Sequence, residues 1–342
     1  MELGLTMEIY IFLRYIVTKE YQNTMNSRLK IMAVLLIAGV SFSGFSQAKD
    51  LNEIQAIANQ FSEELAKTLP LNSSVGLNWS DAFIGKLFPS LPPHFGIGAS
   101  FGITAMKSGA INDLAGSFGY KVPFDSNSMF LPAYTVEARI GGVVLPFDAG
   151  FKIGYLPAVG LWGSNLHMNY LLVGGDLRFA LLEKPKFLKI SLGIGYNYLK
   201  GGIGGSGIDN YFNCGADSVQ LPAPEVDLSW STKTLDFKTQ ISMTFAMITP
   251  YIGAGGGYAW SSAGYSVKTN ISQEDIDIIK GYLGGIDVND TGMESMIKNK
   301  APHVRVFGGL SFNLMVFRID LTALYSFIDK NFGGSLGLRF QL

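Results

Sequence analysis

Charged side chains recur at alternate positions in short runs whose intervening residues are apolar or small. They are Glu137 and Arg139, Asp148 and Lys152, Asp176 and Arg178, Lys189, Asp236 and Lys238, Arg305, Arg318 and Asp320, and Arg339. Lined up on the inner face of a closed sheet, groups of both signs can do one of two things. They can neutralise one another as a salt-bridge network filling a narrow interior. They can instead line a constriction that tolerates anions and passes or holds a carboxylate head group. Arginine suits the second role, because its planar fork meets a carboxylate through two hydrogen bonds.

Other residue types offer less. The histidines are His94, His167 and His303, and none falls in an evident Ser-His-Asp order. His167 and His303 are expected near strand starts at one rim, and the chain is not expected to be an enzyme. Gly202, Gly204 and Gly207 satisfy G-x-G-x-x-G, but no helical pattern follows, so no nucleotide site is expected. Asp287, Asn289 and Gly292 resemble part of a calcium loop, yet Lys298 stands where that loop needs a glutamate. One cysteine, Cys214, makes no intramolecular disulfide and no metal spacing. Neither a metal nor a cofactor is expected. A net charge of −1 gives no electrostatic case for nucleic acid.

The elements that must carry these residues are strands. Of 342 residues, 15% are charged and 13% aromatic, and 41 are glycine. Past Val40 no stretch approaches the ~18 apolar residues of a membrane-spanning helix, which excludes a polytopic helical protein. Low Glu and Lys with many aromatics exclude disorder and coiled coil. From Pro93 onward the sequence repeats runs that alternate apolar with polar or glycine, a period of two. In the clearest, Leu188, Ile190, Leu192, Ile194, Tyr196 and Tyr198 share a face opposite Lys189, Ser191, Gly193, Gly195 and Asn197. Similar runs centre on Ile97, Val136, Phe151, Leu177, Phe237, Ala254, Val306, Leu321 and Leu338.

Three features favour a membrane barrel over a water-soluble sandwich. Aromatics (Tyr196, Tyr198, Tyr258, Trp260, Tyr325, Phe327) sit near strand ends, as interfacial girdles do. The polar faces mix both charges with glycine. Short links alternate with longer ones, such as Lys107 to Met129, Gly201 to Leu221 and Tyr265 to Pro302. The fold expected is all-β: a transmembrane antiparallel up-and-down barrel of about ten strands, with roughly twelve to fourteen as the alternative. Between Trp230 and Leu235 the apolar face changes parity, which implies either a bulge near Thr232–Thr234 or a missed strand. A helix candidate starts at Ser272 in the last long loop.

Before the barrel, residues 1–48 read as an upstream extension plus a signal peptide. Arg28 and Lys30 precede the apolar Ile31–Val40, and cleavage is expected after Ala48. The chain is therefore expected in the outer membrane, with the barrel-assembly machinery and outer-membrane lipid as partners and no nucleic acid. Residues 49–93 form a helical segment, either a hatch in the lumen or a periplasmic collar. Leu51 to Leu69 has helical spacing that Pro70 should stop, and a second short helix is expected from the N-cap candidate Ser80. Residues 94–342 form the barrel.

The stretches Trp79–Pro89, Pro92–Gly98, Gly174–Arg178 and Gly193–Tyr198 resemble spirochaete outer-membrane proteins compared with FadL-type long-chain fatty acid transporters. That resemblance implies a barrel whose N-terminal hatch admits hydrophobic compounds. The function expected is a channel for uptake of hydrophobic or amphiphilic small molecules such as fatty acids. The alternative is a non-transporting, surface-exposed structural or adhesin-type barrel.

Overall fold

In a computed structural model the alternating runs close on themselves. The structure describes residues 51–84, 93–107, 109, 128–142, 146–160, 166–182, 187–206, 210–214, 217–221, 225–268 and 292–342. The extension and signal peptide, the Ser272 helix candidate, and Asp287 and Asn289 lie outside them. The elements are α1 (Leu51–Ser73), β1 (His94–Lys107), β2 (Ser128–Gly141), β3 (Phe147–Gly160), β4 (Leu166–Leu182), β5 (Leu188–Ser206), β6 (Asn210–Cys214), β7 (Asp217–Leu221), β8 (Glu225–Met243), β9 (Ile248–Lys268), β10 (Gly292–Leu314), β11 (Phe317–Ser326) and β12 (Phe332–Gln341). Ten of the strands form one closed antiparallel barrel, and β6–β7 is a separate hairpin within a connection. The all-β barrel of ten strands is thus the fold. Closure pairs the edge strands β1 and β12, from Gly96 with Gln341 to Thr104 with Gly333.

Register fixes the barrel's slant. Traced from Ile97 through β12 and β11, the paired row meets β10 at Leu314. Traced the other way through β2 and β9, it meets β10 at Pro302, a stagger of 12 residues. Such a stagger over ten strands inclines them by about 40° to the axis. The strands follow one another after few residues at one end, between β2 and β3, β4 and β5, β8 and β9, and β10 and β11, where β1 also begins and β12 ends. The opposite end carries the longer loops and the β6–β7 hairpin.

β8 shows why the chain takes this form. Its even-numbered residues face inward without interruption from Val226 to Ser242, and its register with β5 and β9 has no break. The bulge or extra strand expected near Thr232–Thr234 is therefore absent. What changes along β8 is the chemistry of each face. Toward the short-turn end the inner face is polar (Thr232, Thr234, Asp236, Lys238, Gln240) and the outer face apolar (Leu235, Phe237, Ile241). Toward the long-loop end the inner face becomes apolar (Val226, Leu228, Trp230) and the outer face polar (Glu225, Asp227, Lys233). The parity change in the sequence records this exchange of apolar and polar faces along one unbroken strand.

Helix α1 and residues 74–84 lie inside the barrel. Ile57, Phe61, Leu65 and Leu69 of α1 pack against Met106, Tyr170, Leu172, Leu199, Leu228, Trp230, Ala263 and Tyr265 of the wall. Each such side chain, fully buried, contributes roughly 1.5–3 kcal/mol relative to exposure. α1 runs through Pro70 to Ser73 rather than stopping before it. Proline removes only one hydrogen bond near a helix end, and contacts beyond it hold the last turn. The Asn72 Nδ2 donates to the Leu131 carbonyl at 2.9 Å, and the Ser73 hydroxyl to the Pro70 carbonyl at 2.9 Å. No helix begins at Ser80. Residues 74–84 instead form an irregular strap running down the lumen toward the short-turn end.

Candidate functional site: a stoppered lumen

An irregular strap inside a barrel must satisfy its backbone groups without water. The wall's charged side chains do this. The Lys152 ammonium donates to the Ser73 and Val75 carbonyls at 2.8 and 2.6 Å. Glu137 accepts from the Leu77 amide and the Trp79 indole, each at 2.7 Å. Gln240 donates to the Trp79 and Ser80 carbonyls at 2.8 and 3.0 Å. Ser191 and Ser242 bracket Ala82, one donating to its carbonyl at 2.7 Å and the other accepting from its amide at 2.9 Å. Arg178 donates to the Asp81 carbonyl at 2.7 Å, and Asp148 accepts from the Ile84 amide at 2.7 Å.

Two glycines make the close approach possible. Gly76 has φ of 86°, and a Cβ there would lie 2.5 Å from the Thr135 hydroxyl and 3.0 Å from Glu137. Gly96 in β1 leaves room for Trp79, whose ring atoms would sit 2.8 Å from any Cβ at that position. The Trp79 ring lies between two guanidinium groups, 5.5 Å from Arg139 and 4.8 Å from Arg339.

The strap adds one carboxylate to the charged lumen. Asp81 is buried, with Arg318 at 2.7 Å, Arg339 at 3.2 Å and Lys189 at 3.6 Å. Around it the wall pairs with itself. Arg139 bridges Asp148 and Asp176, both at 2.6 Å. Arg178 forks onto both oxygens of Asp148 at 2.8 and 2.7 Å. Lys238 pairs with Asp176 at 2.5 Å, Arg305 with Asp236 at 2.5 Å and Arg339 with Asp320 at 2.6 Å. The thirteen-member set named from sequence therefore sits on the inner wall: Lys189 and Arg318 are half-buried, and Glu137, Arg139, Asp148, Lys152, Asp176, Arg178, Asp236, Lys238, Arg305, Asp320 and Arg339 are buried. Eight of the set are cations and five are carboxylates, and Asp81 of the strap adds a sixth carboxylate.

The strap residues Gly76, Trp79, Ser80 and Asp81 carried no periodic signal. The one available cue was a lone carboxylate following an apolar helix. His303 does not share a rim with His167. Because β10 begins at Gly292, His303 lies down in the lumen, 3.3 Å from Asp236. His167 is exposed on the outer face, 3.7 Å from Asp227. Gly202 and Gly204 are part of β5, and Gly292 and Lys298 part of β10. Cys214 ends β6. Among the described residues no cluster suits a metal ion.

Above the polar floor, the long-loop half of the lumen is apolar. Met106, Tyr170, Leu172, Leu199, Leu228, Trp230, Ala263 and Tyr265 enclose a chamber that α1 occupies. The wall is least tied beside it. The β2–β3 ladder runs only from Val136 with Ile153 to Gly141 with Asp148, whereas β8 and β9 pair from Glu225–Lys268 to Ser242–Tyr251. Pro132 and Pro157, which have no amide to donate, lie in the loosened halves of β2 and β3.

No family model matches the chain, and no curated protein matches it. Solved structures similar to it are distant outer-membrane barrels. The outer-membrane protease OmpT from Escherichia coli is 9% identical, with 73% of this chain and 97% of that chain covered and a TM-score of 0.38. The attachment invasion locus protein Ail of Yersinia pestis is 11% identical, with 73% and 99% covered and a TM-score of 0.26. The toluene transporter TbuX of Ralstonia pickettii is 8% identical, with 73% and 89% covered and a TM-score of 0.25.

Proposed function

We propose that this protein is an outer-membrane channel for hydrophobic or amphiphilic small molecules, with residues 49–93 as its hatch. One observation carries the reading: the barrel encloses an apolar chamber, and the chain's own amphipathic helix occupies it. A water-filled pore needs polar walls, and a purely structural barrel needs no internal apolar surface that a separate element must cover. An apolar solute would compete with Ile57, Phe61, Leu65 and Leu69 for the same lining. The polar strap below would then be the second barrier, and its displacement would leave a cation-rich constriction suited to a carboxylate head group. A fatty acid fits both halves, in keeping with the resemblance to FadL-type transporters. An apolar belt outside the barrel (Phe101, Val136, Phe151, Phe237, Ile252, Leu338) supports insertion in a bilayer.

The alternative, a surface barrel that transports nothing, draws on the many bonds between strap and wall. Planar-bilayer conductance separates the two. The full chain should be closed, and deletion of Lys49–Leu69 should raise conductance, more so when residues 74–84 are also removed. The strap-free barrel should prefer anions in a salt gradient. Unchanged conductance, or a preference for cations, would favour the non-transporting barrel.

A further inference from the structure

The outer face of β5, β8, β9 and β10 changes in steps toward the long-loop end. Register sets Tyr196, Leu235 and Tyr258 side by side. The next row holds Tyr198, Lys233, Trp260 and Lys300. The row beyond holds Lys200, Ser231, Ser262 and Lys298. All four lysines are exposed. Among the described residues, carboxylates appear on this face only further out, at Glu225 opposite Lys268 and at Asp227 and Glu294, which flank Ser266. Among the described residues no carboxylate pairs with Lys200 or Lys233.

One of these lysines, Lys233, stands over an aromatic side chain. The Lys233 ammonium lies 6.0 Å from the centre of the Tyr198 ring, and Tyr258 and Trp260 pack at 4.9 Å. Ser231 and Ser262 share a hydrogen bond at 3.0 Å between β8 and β9. Below them the face is apolar and exposed at Leu192, Ile194, Phe237 and Ile252. Aromatic belts mark the junction of hydrocarbon and head groups. Ammonium groups just above that junction meet lipid phosphates, and their long stems reach along the surface.

We propose that Lys200 and Lys233, with Lys300 beside Trp260, bind the phosphate of an anionic membrane lipid whose acyl chains lie against β5, β8 and β9. The proposal requires the barrel to stand in a bilayer and is independent of transport through the lumen. A soluble polyanion would be served by lysines anywhere on the long-loop end. The apolar face running down from these lysines is what a lipid uses.

The test is lipid retention by the full chain in a neutral detergent, measured by native mass spectrometry. Phosphatidylglycerol should be retained in preference to phosphatidylcholine, and high salt should abolish the preference. The double variant Lys200→Gln/Lys233→Gln should bind phosphatidylglycerol about thirtyfold more weakly, as expected from removing two interfacial lysines. Inorganic phosphate and heparin should not compete. Equal retention of the two lipids, undiminished binding by the double variant, or competition by heparin would overturn the proposal. Should the variant not fold, the lipid preference of the unaltered chain and its salt dependence decide alone.

Discussion

Asp81 is the residue on which the closed state turns. It is the strap's only carboxylate among the described residues, and it meets Arg318, Arg339 and Lys189 in a buried setting. Leaving those cations without their partner costs on the order of 3–5 kcal/mol for a buried pair. Asp81→Asn should therefore free the strap, seen as faster hydrogen exchange at residues 74–84 with the barrel strands still protected. Unaltered exchange would mean that the strap is held by its backbone bonds alone. Gly76→Val should act likewise, because a side chain at φ of 86° would meet the Thr135 hydroxyl and Glu137. The wall charges were readable in the sequence because alternation with apolar residues marks their face. The strap was not. Its partners, such as Gln240 for Trp79 and Ser242 for Ala82, lie far along the chain, so no local period records the contact.

At the level of elements, the strands were the most legible part. A lipid-facing strand must be apolar at every second position, and all ten runs recognised on that basis are barrel strands. Their outer halves were harder. In β8, Val226, Leu228 and Trp230 face inward while the hydrocarbon-facing residues lower down face outward. A rule that equates apolar with outward reads that inversion as a break. The same misreading left Gly292–Pro302 as a loop, although it pairs with β9. α1 outlasts Pro70 because its last turn is fixed by Leu131 and by its own serine hydroxyls, contacts invisible to propensity. Its position yields a topological expectation. Gln60 is on the exposed side of α1, in the long-loop half of the barrel. In a Cys214→Ser background, Gln60→Cys should react with a membrane-impermeant maleimide added to intact cells. Protection until the cells are lysed would place the long-loop end toward the periplasm. The β2–β3 seam should also show itself. Amides of Met129–Thr135 should exchange faster than those of β8 and β9, whose ladder is unbroken.

For the whole molecule, two zones stack along one axis. The short-turn half has a polar interior and an apolar exterior. The long-loop half has an apolar interior and a polar exterior. A single N-terminal segment answers both interiors, its amphipathic helix filling one and its hydrogen-bonded strap the other. Under the proposed function, entry of an apolar solute moves α1 against the wall that it covers. Spin labels at Gln60→Cys and Lys268→Cys, again in a Cys214→Ser background, report that movement through their distance distribution. With the purified chain alone, one narrow distance is expected. With saturating naphthalene or lauric acid, the distribution should broaden and shift to a second distance. A distribution unchanged by either compound, under conditions where binding is demonstrated, would contradict a chamber that opens by yielding its own helix.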